Sequence, residues 1–413
     1  MKSLFRLLSA LLLLAGPGRA LAQVAPPDTT GGRYYQPIFT NVTVTSNVAY
    51  GSATTYLGAT QQLLLDVYQP TGDTVARRPL LIFAHQGGFV TGSKTDAYMV
   101  SICTRMAKLG YVAASIEYRL LFPLTGIAAP ADTVGLAQAA IRAMQDMRAA
   151  VRFFRQDAAT AKAYRVHGGY IVVGGSSAGA FAALETGYLD KPSEVPTYVG
   201  LAALGGIEGT GGNAGFSSAV AAVISLSGAT ESPSIIEAGN APLCSVHGNA
   251  DRTVPYFQGK IGSLLPPKYV YGSGRLNPRA TAVGIRNTLR TLQGAGHIPF
   301  ENNAQYADTA FWTIRDFLRP ILRLPGTALA ARSAATAAPL ASAYPLPARD
   351  YVQLALPPTW RALGEADLLD PLGRVVRRLA PTAQLWQVPR GGLAAGSYWL
   401  RFAGQVPVRV VFE

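Results

Sequence analysis

Short runs of Val, Ile and Leu recur along the chain at 62–68, 79–84, 111–117, 170–174, 221–227 and 241–247. Each has the length and β-branched character of a strand buried on both faces rather than of a buried helix. Helix-like stretches of mixed apolar and polar residues lie between most of them, notably at 95–109, 132–157 and 178–188. This alternation predicts an α/β fold, a mostly parallel sheet covered on both sides by helices. Functional groups in such a sheet collect beyond the C-terminal ends of its strands. Segment 191–216 breaks the pattern, with Gly200, Gly205, Gly206, Gly209, Gly211, Gly212 and Gly215 among few charges. It reads as a loop-rich excursion, either a cap or pocket wall over the site or a plain surface loop.

Past residue 322 the periodicity changes. Residues 323–343 form an Ala-rich spacer carrying Pro325, Gly326 and Pro339 and no strong amphipathic pattern. Beyond it Val352, Leu354 and Leu356 alternate with Gln353 and Ala355, and similar alternation returns at 398–402 and 406–412. A period of two marks half-buried antiparallel strands, and Asp370-Pro371-Leu372-Gly373 and Ala394-Ala395-Gly396 supply turns. Residues 344–413 are therefore expected to form a small all-β sandwich behind a larger α/β domain at 23–322. At the other end, Lys2 and Arg6 precede an apolar run from Leu7 to Ala15, and Ala20-Leu21-Ala22 fits a small-residue cleavage site before Gln23. Residues 1–22 thus read as a secretory signal peptide. No other stretch reaches the roughly 18 apolar residues of a membrane span, so no transmembrane segment is expected.

The candidate chemistry centres on Ile171-Val172-Val173-Gly174-Gly175-Ser176-Ser177-Ala178-Gly179-Ala180. An apolar strand breaks at glycines and resumes as an Ala-rich helix. The pattern Gly175-x-Ser177-x-Gly179 is that of a nucleophile elbow, a serine on a sharp strand-to-helix turn where any Cβ two residues either side would collide. Ser177, not Ser176, has glycine at both flanking positions. A second strand, Pro79 to Ala84, runs into His85-Gln86-Gly87-Gly88-Phe89. Bare glycine backbone there allows N–H groups to approach a developing oxyanion. Gly87 and Gly88, with the N–H of Ala178, form the expected oxyanion hole.

With these motifs, residues 47 to 322 resemble the α/β-hydrolase superfamily and its carboxylesterase/lipase branch. Leu64-Leu65-Asp66-Val67-Tyr68-Gln69-Pro70, the segment Tyr111 to Leu120 and Asp146-Met147-Arg148-Ala149-Ala150-Val151-Arg152 add to the likeness. His85-Gln86-Gly87-Gly88 departs from the branch at Gln86, where glycine is usual. The resemblance implies structural roles for Arg119 and Asp146, and His85 reads as a brace for its loop. It also implies the chain order Ser, then Asp, then His. The chain has 4 histidines, and of these only His247 and His297 follow Ser177. Asp251 lies just past the strand 241–247, and His297 sits in the glycine-lined loop Gly294-Ala295-Gly296-His297. Ser177, Asp251 and His297 are thereby the expected catalytic set, with His297 as general base and Asp251 fixing its tautomer.

The tail carries a second resemblance. Tyr344-Pro345-Leu346-Pro347-Ala348, Asp370 to Val376 and Leu393-Ala394-Ala395-Gly396-Ser397-Tyr398 resemble type A sorting domains of the type IX secretion system. Leu346 departs from that pattern, where asparagine is frequent. The implied partner is the type IX secretion machinery, and the implied location is the medium or cell surface, reached through the periplasm of a Gram-negative bacterium. A carbohydrate-binding β-module is the alternative for this tail.

Composition narrows the reading further. The 413 residues carry a net charge of +13, arising from arginines spread along the chain rather than gathered in a run, which gives no ground for nucleic-acid binding. No clustered Cys/His spacing and no phosphate-binding glycine loop is present, so no metal and no cofactor is implied. Cys103 and Cys244 can form a disulfide or stay buried thiols; spacing alone does not decide. The combined expectation is a secreted serine carboxylic-ester hydrolase acting on an ester substrate, small or polysaccharide-linked, through an acyl-enzyme. A serine peptidase of related fold needs a large preceding propeller, for which there is no room. A non-catalytic hydrolase-fold binding protein should have lost one of the three residues, and none is missing.

Overall fold

The computed structural model of the protein describes residues 26–121, 133–261, 268–322, 342–344, 348–356, 364–370, 374–381, 385–402 and 408–413. The expected signal peptide at 1–22 and the spacer as far as residue 341 lie outside the described residues. The chain divides into two compact units at Arg332/Ser333.

In the first unit the elements run β1 (Val42–Thr54), β2 (Thr60–Pro70), β3 (Arg78–Ala84), α1 (Ala97–Lys108), β4 (Val112–Ile116), α2 (Thr133–Ala159), β5 (Val166–Ser176), α3 (Ala178–Tyr188), β6 (Ala222–Leu226), β7 (Ala229–Thr230), β8 (Leu243–Gly248), β9 (Gln258–Lys260), β10 (Tyr269–Gly272), α4 (Ser273–Ala282), β11 (Asn287–Leu292) and α5 (Ala304–Leu322). Eight strands make one sheet in the order β1-β2-β4-β3-β5-β6-β8-β11. The pairs β1/β2 and β2/β4 are antiparallel and the others parallel. This is the mostly parallel sheet of the α/β-hydrolase fold.

The two-residue period of the strands sorts side chains to two separate cores. Leu80, Ile82, Val112, Ala114, Ile171 and Val173 face a cluster shared with α2, α3 and α4. Leu81, Phe83, Ala113, Tyr170 and Val172 face the other cluster, shared with α1 and α5. Burial on both faces explains why these strands are unbroken runs of Val, Ile and Leu. The connection from β3 goes through α1 to β4 on one side, whereas β5 continues through α3 to β6 on the other. Neighbouring strands whose connections leave in opposite directions open a crevice beyond their C-terminal ends. Both glycine-bearing turns of the sequence, after β3 and after β5, fall there.

Two edge strands, β1 and β11, stand outside the strands expected from apolar runs. Each is hydrogen-bonded to a single neighbour and is largely half-buried or exposed, so neither needs the apolar content that marks a central strand. Cys103 on α1 and Cys244 on β8 are both free and buried, which settles the open disulfide question in favour of thiols.

The second unit holds β12 (Ser342–Tyr344), β13 (Tyr351–Ala355), β14 (Ala366–Leu369), β15 (Val375–Leu379), β16 (Leu385–Pro389), β17 (Gly396–Arg401) and β18 (Val408–Phe412). They form two antiparallel sheets, β12-β13-β16 and β15-β14-β17-β18. Val352, Leu354, Trp386 and Val388 from one sheet share a core with Leu368, Tyr398, Leu400, Val410 and Phe412 from the other. The alternating residues supply that core directly. Among the described residues no helix is long and apolar enough to cross a membrane.

Candidate active site

Ser177 sits between β5 and α3 with φ 50° and ψ −116°, a conformation costly for a residue with a Cβ. The surroundings hold it there. Its N–H donates to the Leu226 carbonyl at 2.9 Å, fixing the turn to the end of β6. A Cβ on Gly175 would lie 2.2 Å from the Gly179 carbonyl, and one on Gly179 would lie 2.1 Å from the Ala84 carbonyl. Strand, turn and helix therefore close-pack backbone to backbone, and glycine is required at both flanks. The Ser177 hydroxyl is left pointing into the crevice at the start of α3, whose first N–H groups, Ala178 among them, lack partners within the helix.

Asp251 follows the end of β8, and His297 lies between β11 and α5. Ser177 Oγ is 2.8 Å from His297 Nε2, and His297 Nδ1 is 2.7 Å from Asp251 Oδ2. The three expected residues are thus joined in one hydrogen-bonded chain, although they come from three separate loops. The other oxygen of Asp251 accepts the backbone N–H groups of Thr253 at 2.8 Å and Val254 at 2.9 Å. Burial pushes the Asp251 carboxyl up, but hydrogen bonds from His247 and His297 outweigh it and hold the group well below the ordinary carboxylate range. A proton on His297 Nδ1 is donated to this carboxylate, which leaves Nε2 as the acceptor facing Ser177.

His247 was not expected at the site. It is fully buried on β8, and its Nε2 lies 3.2 Å from Asp251 Oδ2 and 3.0 Å from the Val254 carbonyl. Two oxygen acceptors at Nε2 place the proton there, so Nδ1 accepts the Ser273 hydroxyl at 3.0 Å. His247 therefore donates to Asp251 from behind while His297 faces the serine. Its position on the strand feeding Asp251 was the available sequence signal.

On the opposite wall, Gly87, Gly88 and Phe89 are consecutive positive-φ residues, at 114°, 64° and 64°. The Gly87 carbonyl accepts from the N–H groups of Val90 and Thr91 at 3.0 and 3.1 Å, which coils the loop upon itself. A Cβ on Gly87 would meet the Thr91 carbonyl at 2.0 Å. The Gln86 amide donates to Asp96 Oδ2 at 2.9 Å at the start of α1, so the departure at Gln86 ties the loop to a helix. His85 is fully buried, stacked on Tyr118 at 4.3 Å, and placed with Nδ1 2.6 Å from the Gln86 carbonyl; it braces the loop. Arg119 grips the buried Asp146 carboxylate through its backbone N–H, Nε and Nη2, and neither residue lines the cavity at Ser177.

Ser177, Ala178, His297, Gly87 and Gly88 line one cavity of about 260 Å³, whose remaining walls include Phe89, Leu136, Phe181, Val254, Ile261 and Ile298. Residues 191–216 contribute nothing to the described lining. They pack on α2 instead, with Gln138, Gln145, Arg148 and Arg152 holding the carbonyls of Val199, Leu204 and Gly212 and the Glu208 carboxylate. Of the two readings of this segment, the cap over the site is not what the structure holds. Among the described residues no group of three or more His, Cys, Asp and Glu is arranged to hold a metal ion.

The first unit is an α/β-hydrolase fold with a serine, a histidine and an aspartate in hydrogen-bonded series at its crevice. The BD-FAE family matches residues 65–233, a stretch that includes Gly87, Gly88 and Ser177 and stops short of Asp251 and His297. No curated protein matches. Among solved structures, Thermogutta terrifontis esterase 2 phosphorylated by paraoxon is 22% identical with a TM-score of 0.48, over 68% of this chain and 95% of that one. The butyrate-bound form of the same planctomycete esterase is 22% identical with a TM-score of 0.45, over 63% and 90%.

Proposed function

We propose that the protein is a carboxylic-ester hydrolase using Ser177 as nucleophile, His297 as general base and Asp251 as its orienting carboxylate. The observation that carries this reading is the continuous series Ser177 Oγ, His297 Nε2 and Nδ1, Asp251 Oδ2, at 2.8 and 2.7 Å. Ser177 Oγ attacks the ester carbonyl carbon while its proton passes to His297 Nε2. The carbonyl oxygen takes the negative charge and is stabilised by N–H groups of Gly87, Gly88 and Ala178. Collapse breaks the bond to the alcohol, which leaves with the proton from His297. Water then repeats the sequence on the acyl-enzyme, releasing the acid and restoring Ser177. The apolar walls of the cavity suit an acyl chain, and the glycine wall suits its carbonyl.

The same reading assigns residues 1–22 to a removed signal peptide and residues 344–413 to export through type IX machinery, on the sequence features described above. The enzyme then works outside the cell or on its surface.

Ser177→Ala should lower kcat on p-nitrophenyl acetate by roughly 10⁴–10⁶-fold and abolish covalent labelling by a fluorophosphonate. Labelling that survives this substitution refutes the assignment of the nucleophile.

A further inference from the structure

We infer that Glu301 is a positioning residue for the base, acting through Ser176; this rests on the hydrolase reading above. Ser176 is fully buried directly before the nucleophile, and its hydroxyl donates to Glu301 Oε1. Glu301 closes the one-turn 3₁₀ helix Pro299–Glu301, which begins two residues after His297. One hydrogen bond therefore staples the loop of the base to the turn of the nucleophile, across 125 residues of chain.

The staple has something to hold. Ile298, adjacent to His297, has φ 42° and ψ 48°, a left-handed conformation costly for a β-branched side chain. Such a residue persists only when its surroundings over-determine it. The Glu301 N–H donates to the Ile298 carbonyl at 3.1 Å, and Phe300 is buried against Tyr98 of α1 at 5.2 Å between ring centres. Phe300 anchors the loop to the helix layer; Ser176–Glu301 anchors it to the serine. Without the second anchor Ile298 can relax, and His297 then drifts relative to Ser177 Oγ.

The groups facing the Glu301 carboxyl come from every side of the site: Ser176 and His297, with Asp96, Tyr98 and His85 nearby. Burial raises the carboxyl above its usual range, while the Ser176 hydroxyl and the two histidines oppose that rise. An apolar contact would fill this space without desolvating a carboxylate. What the hydrogen bond adds is direction, a fixed line between two loops whose relative placement sets a proton-transfer distance.

The test uses the full chain, with kcat and KM on p-nitrophenyl acetate, the rate of fluorophosphonate labelling, and melting temperature. Ser176→Ala and Glu301→Ala should each lower kcat and labelling rate about tenfold with KM within about twofold of the parent. The double variant should lose no more than either single, because both remove one interaction. Glu301→Gln, which keeps an acceptor for the serine hydroxyl, should recover to within about threefold. Melting temperature identifies any variant that fails to fold, and Ser176→Ala and Glu301→Gln then carry the comparison. The inference is overturned if the single losses multiply to about a hundredfold, if Glu301→Gln is no better than Glu301→Ala, or if every variant stays within about twofold. A parent protein that takes no label overturns the hydrolase reading itself, an outcome distinct from labelled, unaffected variants.

Discussion

Glu185 shows how a single side chain can be marked by its environment without belonging to the reaction. It lies on α3, two turns beyond Ser177, is buried, and leaves Oε2 without a hydrogen-bond partner. Burial first, then the Glu231 carboxylate, push its carboxyl up to about 8. The sign follows from linkage. The folded state keeps the proton over a range where the unfolded chain has lost it, so stability falls as pH rises from the ordinary glutamate range toward 8, and levels off above. Glu185→Gln removes that dependence. Its gain in stability should be small near pH 5 and reach up to a few kcal/mol at pH 8, read as the difference between melting temperatures across the range. An equal gain at both pH values would show that the carboxyl titrates normally. Nothing in the Gly175-x-Ser177-x-Gly179 pattern foretells this, because the cause is burial by residues remote in sequence.

Among the elements, the join of β3, β5 and α3 decides whether Ser177 is presented to the crevice at all. Gly179→Ala puts a methyl group against the Ala84 carbonyl, and backbone on both sides must move. It should cost about 1–3 kcal/mol or more and slow labelling of Ser177 at least about tenfold. Gly200→Ala, at φ 69° with nothing near its Cβ, should cost only about 1 kcal/mol of backbone strain and leave labelling unchanged. Melting curves and labelling rates of the two variants make the comparison. The elements at this join were legible in sequence, since strands buried on both faces are apolar throughout and the elbow needs its glycines. The edge strands β1 and β11 were not, because one free edge lets polar residues in. Within the site, Ser177, Asp251 and His297 could be picked out from a motif and scarce histidines. His247 was signalled only by its place on the strand feeding Asp251, and Glu301 by nothing in the pattern. Each acts through a contact made by the fold, behind Asp251 in one case and across to Ser176 in the other.

At the scale of the molecule, the two units have separate cores, and every described residue lining the Ser177 cavity falls at or before Ile298. A chain of residues 23–322 should therefore fold and keep kcat on p-nitrophenyl acetate within about twofold of the full length, since a domain with its own core folds alone. A large loss would mean that the β-sandwich supports the hydrolase unit. In a host with type IX export the shortened chain should accumulate in the periplasm; its normal appearance in the medium would exclude the sorting role. Cys103 and Cys244 give this unit a further property. They stand on a helix and a strand of one core, unpaired and with burial raising both thiols above their usual range. Neither is a surface nucleophile, and no covalent tie limits the unfolded chain. The fold therefore owes nothing to the redox state of its surroundings. A thiol reagent in solution meets these sulfurs only in moments when the core parts, so the pace of their modification is a clock for the opening of the protein itself.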